Sequence, residues 1–265
     1  MDFENQGNTL SVYLNAGAYG QAKYHWEGST SPYECGEDSF FMLKKRDKTL
    51  VIGIADGVGG WNAFGVSSAF MARQMMQNAY LASRDNVEKC LDQNPSVIMT
   101  SAYNKIKLNK EVEAGSTTCC ILSLDIETST IYSANIGDSG YIIIRNKQII
   151  VGYRSNKSNG ILRQLAIIPE RFVGLRFIDT NPSFAEKREH QVQEGDVIVL
   201  ASDGFWDNIP DLNHNLSILI NELITEKKES CTTIAKILVD MALGYDIKVD
   251  DITVVVAQVI LENNC

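Results

Sequence analysis

Chemistry is concentrated first in Val51–Trp61, which reads V-I-G-I-A-D-G-V-G-G-W. A run of small and β-branched residues reads as a buried strand, and it ends on Asp56 followed by a glycine-dense turn. Such a strand delivers a carboxylate to the rim of a core. Gly57, Gly59 and Gly60 let the backbone turn sharply and bring its own carbonyls to whatever Asp56 binds. A dinucleotide fingerprint is excluded by spacing, because Gly57 and Gly59 would need a further glycine where Asn62 stands, and no G-K-[ST] follows for a P-loop. An Asp-Gly turn that merely closes a strand uses the same dipeptide. The pattern recurs, however. Asp138 follows S-A-N-I-G, Asp203 follows V-I-V-L-A-S, Asp250 and Asp251 precede I-T-V-V-V-A, and Glu37 and Asp38 precede the strand Ser39–Leu43.

If those strand ends meet, five or six carboxylates converge, and their repulsion is tolerable only with cations among them. All-oxygen donors predict a hard, paired metal centre, Mg²⁺ or Mn²⁺ in preference to zinc. The histidines agree, since His25, His190 and His214 form no ligand-spaced pair. A binuclear carboxylate centre suits activation of water and in-line displacement at a phosphoryl group. Independent turn aspartates are the alternative.

The elements that must position these acids follow from periodicity. Met1–Gly36 is polar, with an edge strand expected around Leu10–Ala16 and loop after it. Ser39–Lys44 and Leu50–Ala55 form a hairpin around a charged turn. Asn62 or Ser67 can cap a helix within Phe64–Leu81, whose Phe70, Met71, Met75, Ala79 and Tyr80 form a core face. A second helix starts near Pro95 and runs to about Lys110, with Val97, Ile98, Ala102 and Ile106 inward. Ser116–Ile126, Thr130–Ile136, Gly140–Arg145 and Gln148–Val151 read as an antiparallel meander. Tyr153–Ala185 lacks a period and is expected to be loop covering or bordering the site. Strands Glu189–Val192 and Val197–Ala201, helices Leu212–Lys227 and Ser230–Leu243, and a strand Ile252–Leu261 complete the chain. Helices in sequential pairs between antiparallel strands predict an α+β layered sandwich, not a Rossmann sheet.

Composition is that of an ordinary globular chain: 265 residues, 45% hydrophobic and 22% charged. One domain is expected over 1–265, with a polar segment 1–35 and a catalytic core of about 36–262. A net charge of −9 argues against a nucleic-acid footprint or an anionic membrane surface. The six cysteines show no CxxC, so a disulfide framework or structural zinc is not expected. Reduced thiols place the chain in the cytoplasm. The first twenty residues hold no Lys or Arg and no apolar run reaches membrane-spanning length, so no leader is visible; a removed segment would allow a mitochondrial address.

C-G-E-D-S-F (35–40), A-D-G-V-G-G-W (55–61), G-S-T-T (115–118), N-I-G-D-S (135–139), S-D-G-F-W-D-N (202–208) and D-D-I-T-V (250–254) stand in the order found in metal-dependent protein phosphatases of type 2C. The resemblance spans nearly the whole chain from about residue 35 and is nearest the branch with D-G-V-G-G-W, which includes mitochondrial members. It implies a four-layer α-β-β-α sandwich, two antiparallel sheets flanked by helix pairs, with two metals in the cleft. By position, Asp56 would bridge both metals and Gly57 would lend its carbonyl to one. Asp203 and Asp250 would hold the other metal, with Glu37 in its outer shell through water. Asp138 matches the acid that helps bind a weaker third metal in some members.

Two positions depart from the family pattern. Many members carry His after the Asp-Gly as general acid, where this chain has Val58, and an Arg four residues before the first-motif Glu, where it has Tyr33. Neither touches the metal ligands. The reading is hydrolysis of phosphoserine or phosphothreonine in proteins by a metal-bound hydroxide, by a monomer acting on phosphoprotein substrates. A pseudophosphatase that binds partners through the same fold is the alternative. Cys119 and Cys120 alternate faces of one strand, and Cys35 beside the acids is a candidate oxidation-sensitive thiol.

Overall fold

Val51–Ala55 is apolar at every position because both of its faces are covered. The computed structural model describes residues 10–23, 35–45, 48–88, 93–110, 112–154, 163–172, 180–209 and 215–263. Among these run the strands β1 (Leu10–Gln21), β2 (Asp38–Lys45), β3 (Lys48–Asp56), β4 (Gly115–Thr117), β5 (Cys119–Asp125), β6 (Thr130–Ile136), β7 (Gly140–Arg145), β8 (Gln148–Arg154), β9 (Leu165–Ile167), β10 (Glu186–Gln191), β11 (Val197–Ala201) and β12 (Ile252–Asn263). The helices are α1 (Ser68–Glu88), α2 (Pro95–Asn109), the single turn α3 (Asp203–Trp206), α4 (Asn215–Thr225) and α5 (Cys231–Tyr245).

One antiparallel sheet runs β2-β3-β5-β6-β10 and the other β1-β12-β11-β7-β8. They join at a single pair, Leu14 with Thr49. Successive side chains of a strand point to opposite faces. On β3, Val51 and Ala55 therefore pack under α1 and α2 with Met71, Met75, Ile98 and Ile106. Ile52 and Ile54 face Leu14, Ile143, Leu200 and Val255 between the sheets. On β12, Val254 and Val256 lie under α5 with Ile234 and Leu238. Three apolar layers thus separate four layers of structure, the α-β-β-α sandwich expected. No helix among the described residues is long and apolar enough to cross a membrane.

Several expectations are corrected. The first strand borders its sheet as expected but runs on to Gln21: β1 pairs along its whole length with β12, from Leu10–Asn263 to Gln21–Ile252, and meets β3 at Leu14–Thr49. The meander is broken at its middle. β6 pairs β10 in one sheet, whereas β7 pairs β11 in the other, so Gly137–Ser139 crosses between sheets instead of closing a hairpin. The strand expected at Ser116–Ile126 breaks at Thr118 into β4 and β5. Within Tyr153–Ala185, β9 pairs β4 and buries Leu165 under the helices; residues 155–162 and 173–179 lie outside the described residues. Phe70, Tyr80 and Val97 are exposed, because α1 and α2 each bury a narrower stripe than the residue types suggested. α4 begins at Asn215, and 210–214 lie outside the described residues. The start of α2 is as read: Asn94 accepts the Ser96 N–H at 2.9 Å, and Pro95 takes the first turn.

Candidate metal centre

The β2–β3 hairpin places Asp38 directly opposite Asp56. Side chains opposed across an antiparallel pair share a face, so two carboxylates confront each other at the mouth of the sandwich. The backbone there is held closely. The Asp56 N–H donates to Thr118 Oγ1 at 2.9 Å, and the Asp56 carbonyl accepts from the Thr118 N–H and the Thr117 hydroxyl, each at 2.9 Å. The Gly57 N–H donates to the Glu37 carbonyl at 3.1 Å, and a Cβ on Gly57 would lie 2.2 Å from the Ser68 carbonyl oxygen. The glycine is required here by close approach. Trp61, fully buried, donates Nε1–H to Ser116 Oγ at 2.7 Å and so pins the turn to β4.

The other acids arrive from the second sheet. β11 ends at Ala201, and Ser202 turns the chain so that Asp203 opens α3. The Ser202 hydroxyl donates to Asp38 Oδ2 at 2.7 Å, which joins the two sheets across the cleft. Asp250 and Asp251 precede β12. Asp251 Oδ1 accepts the Lys23 N–H at 2.7 Å and its Oδ2 the Glu37 N–H at 3.0 Å, so this carboxylate ties down the N-terminal strand. Asn208 satisfies four bonds at once: its Nδ2 donates to the Gly204 and Lys248 carbonyls, and its Oδ1 accepts from the Ile247 and Lys248 N–H groups. That bracket holds Asp250 against α3.

Two ammonium groups stand among the acids, and neither was anticipated. Lys23 Nζ lies 2.6 Å from Glu37, 3.2 Å from Asp251 and 3.5 Å from Asp250. Lys248 Nζ lies 2.5 Å from Asp203, 2.8 Å from Asp250 and 3.2 Å from Asp207. The expectation that only metal cations could make the cluster tolerable is therefore corrected, since lysines supply part of the balance. No three Asp, Glu, His or Cys side chains among the described residues stand, as arranged, ready to hold an ion. Lysine neutralisation is incomplete, however. Asp38 Oδ1 and Asp203 Oδ1 are buried without a hydrogen-bond partner. A buried carboxylate oxygen left unpaired is costly, and hard divalent cations suit an all-oxygen set of this kind.

Titration follows from this packing. Burial, then the charges of Asp38, Asp203 and Asp250, then a shared hydrogen bond with Asp203 push the Asp56 carboxyl well above its ordinary value of 3.8. Burial outweighs the hydrogen bond from Ser202 at Asp38 and raises its carboxyl, and the charges of Asp251 and Asp203 push it further up. Burial works against the Glu37 carboxylate, but hydrogen bonds from Lys23, Ser68 and Asn62 prevail and hold it low. A carboxyl raised by folding contributes stability below its unfolded value, about 3.9, and loses it as pH climbs through the folded value. Glu37 has the opposite sign and acts only at lower pH. In EDTA, Asp56→Asn is accordingly expected to melt above the parent protein at pH 8, with the gap narrowing toward pH 5. Equal or lower melting of the variant across that range would contradict the raised carboxyl.

Asp138 is buried on the crossover from β6 to β7. Its neighbour Ser139 shares a 2.7 Å hydrogen bond with Thr118, the residue that also holds Asp56. Gly137 before it has φ +108°, and a Cβ there would meet Thr118 at 2.5 Å. Val58 donates its N–H to Ser116 and brings no proton donor to the turn. Tyr33, His25 and His214 lie outside the described residues. His190 sits on β10 and bonds the Tyr141 hydroxyl at 2.7 Å, with burial, then Arg188, lowering its basicity. Cys119 and Cys120 are buried in different layers, as read. Burial pushes the Cys35 thiol up to about 12, which argues against the oxidation-sensitive reading. Lys23, Lys248, Thr118 and Asn208 were missed as parts of the site. Of these, Thr118 and Asn208 lie within motifs, whereas the lysines carry no local signal.

A fold of two sheets between helix pairs, with acids gathered at the strand ends, defines a class. The sequence model of stage II sporulation protein E (SpoIIE) matches residues 46–260, and the chain belongs to the SpoIIE/PP2C-type protein phosphatase family. Within it, the chain is similar to the protein phosphatase PTC7 homolog fig of Drosophila willistoni, 31% identical over 97% of this chain and 88% of that protein. Among solved structures, the photosystem II phosphatase PBCP has a TM-score of 0.69 at 23% identity, over 92% of this chain and 98% of that one. The catalytic domain of serine threonine protein phosphatase PstP, in complex with two manganese ions, has a TM-score of 0.55 at 18% identity, over 95% and 100%. At those identities the structures establish the fold.

Proposed function

We propose that this chain hydrolyses phosphoserine and phosphothreonine in proteins with a pair of divalent ions, Mg²⁺ or Mn²⁺. The observation that carries this is the meeting of Asp56 with Asp38 and Asp203 at the mouth of the sandwich, with Asp38 Oδ1 and Asp203 Oδ1 left unpaired. Relatives named protein phosphatase and a neighbour solved with manganese support it. Asp56 would serve both ions, with Asp203 and Asp250 on one and the Gly57 carbonyl on the other. Glu37 would act at one remove, and Asp138 would serve a weaker third position. Bound there, divalent ions would polarise the phosphoryl oxygens and make a water acidic enough to attack at neutral pH. The chain's own work is to hold this carboxylate set without slack. Thr118 fixes the backbone of Asp56, Asn208 and Asp251 fix Asp250, and the Ser202–Asp38 bond keeps the two sheets in register. A partner-binding module without activity would have no use for so complete an acid set.

Hydrolysis of an aryl phosphate and of a phosphothreonine peptide, each with Mn²⁺, with Mg²⁺ and with EDTA, tests the reading. Turnover of both substrates is expected with either metal, and its loss in EDTA should be reversed by adding metal back. Absence of hydrolysis with both metals, or turnover that persists in EDTA, would overturn it.

A further inference from the structure

A groove of about 460 Å³ opens beside β4 and β9, outside the carboxylate cluster. One wall is the C-terminal end of α2, carrying Lys107 and Lys110; the other is the turn after β9, carrying Arg171. Its floor is apolar, from Val112, Ile167 and Pro169. Among the described residues of this lining the carboxylate is Glu113, and it pairs with Arg171 at 3.2 Å. The two side chains are 81% and 60% exposed. An ion pair that open is worth under about 1 kcal/mol, so Arg171 can leave it for a better partner. Lysines at a helix C-terminus also suit its dipole, a matter of roughly 0.3–1 kcal/mol. That accounts for Lys107 and Lys110 but not for a third cation from the opposite wall.

The groove is built onto the turn that carries Asp56. β9 pairs with β4 from Gly115–Ile167 to Thr117–Leu165, and Thr117 in turn bridges Gly57. Two residues along a strand is roughly 7 Å, so the near end of the groove lies a few extended residues from that turn. Its far wall is anchored as well. Phe172, under the Arg171 guanidinium at 5.0 Å, packs edge-on against Trp61 at 5.5 Å. In a chain of net charge −9, a cationic groove at this place is where an acidic segment is drawn in against the general repulsion.

We propose that this groove binds an acidic segment bearing an apolar side chain, close in sequence to the phosphorylated residue of the protein substrate, and so sets which phosphoproteins are hydrolysed. The proposal rests on the phosphatase reading for the identity of the occupant. Two short phosphothreonine peptides test it, one with Asp, Glu and Leu beside the phosphothreonine and one with the acids replaced by Gln. Both are measured by turnover with Mn²⁺ and, as labelled peptides, by fluorescence anisotropy, against the parent chain and Lys107→Glu/Lys110→Glu/Arg171→Glu. The parent is expected to favour the acidic peptide by about 10-fold in KM and Kd at low salt, with the preference falling as salt rises. Charge reversal should abolish that preference while aryl phosphate turnover stays unchanged. The proposal fails if the parent shows no preference or if the triple variant keeps it. It fails also if, with an unphosphorylated acidic peptide measured alongside by anisotropy, the variant loses binding of that peptide but not of the acidic phosphothreonine peptide, which would assign the groove to a separate partner. Lack of aryl phosphate hydrolysis by the parent would instead overturn the phosphatase reading, and anisotropy would still decide whether the groove takes acidic peptide.

Discussion

Asp203→Asn is expected to cut turnover of aryl phosphate and phosphopeptide alike by roughly 10³-fold or more at saturating Mn²⁺, about 4 kcal/mol of transition-state stabilisation. Asp203 is placed by the end of β11 and the first residue of α3, so its position depends on backbone and not on its charge. Asparagine keeps the volume and one acceptor. What it loses is a charge beside Asp56, and its NH₂ is a donor where one carboxylate oxygen stood, in a site where Asp203 Oδ1 lies buried without a donor. The substitution also removes a 2.5 Å partner from Lys248, which retains Asp250 at 2.8 Å and Asp207 at 3.2 Å, so the fold has no reason to fail. Calorimetric titration with Mn²⁺ should show weakened binding in the same variant. Turnover within a few-fold of the parent would remove Asp203 from the centre.

Gly57→Ala is the second large effect, and it acts through space. The new Cβ would lie 2.2 Å from the Ser68 carbonyl oxygen and 2.9 Å from that of Glu37, both backbone atoms that a side-chain rotation cannot clear. Relief requires the turn to shift, which breaks the 3.1 Å bond from the Gly57 N–H to Glu37 and moves Asp56 off Thr118. Overpacking of this kind costs about 1–3 kcal/mol. In a chain of this size that lowers the melting temperature by roughly 2–6 °C. A misplacement of about 1 Å at a reacting centre costs on the order of 10²-fold in rate, so turnover should fall with stability. Gly60→Ala is the matched control from the same turn, since a Cβ there meets nothing within 4 Å. Similar melting and turnover for the two variants would show that crowding does not hold the turn.

Much of what carries a local signal was legible, although Phe70, Tyr80 and Val97 lie outside the core faces that their periodicity suggested. Val51–Ala55 announces burial on both faces because no polar residue interrupts it, and a strand so buried must end at a rim, which is where Asp56 stands. The same logic marked Asp203 after β11 and Asp250 before β12. Pro95 announced the start of α2 because a fixed φ is a property of the residue itself, and the structure adds the Asn94 cap beside it. Sheet membership was not legible. β6 and β7 are joined by Gly-Asp-Ser, which serves a hairpin or a crossing between sheets equally well; only the partners β10 and β11 decide. β1 is legible as a strand around Leu10–Ala16, but its length and its partner are not, because β12, which pairs with all of it, lies at the far end of the chain. Lys23 meets Asp251 across 228 positions, and Lys248 joins Asp203 across 45. Hydrophobic period records which faces of an element are buried, and that much belongs to the sequence alone. Which strand lies alongside, and which charge then neutralises which, is settled only when the two sheets close on each other, because a pairing so distant leaves no mark on the residues beside it.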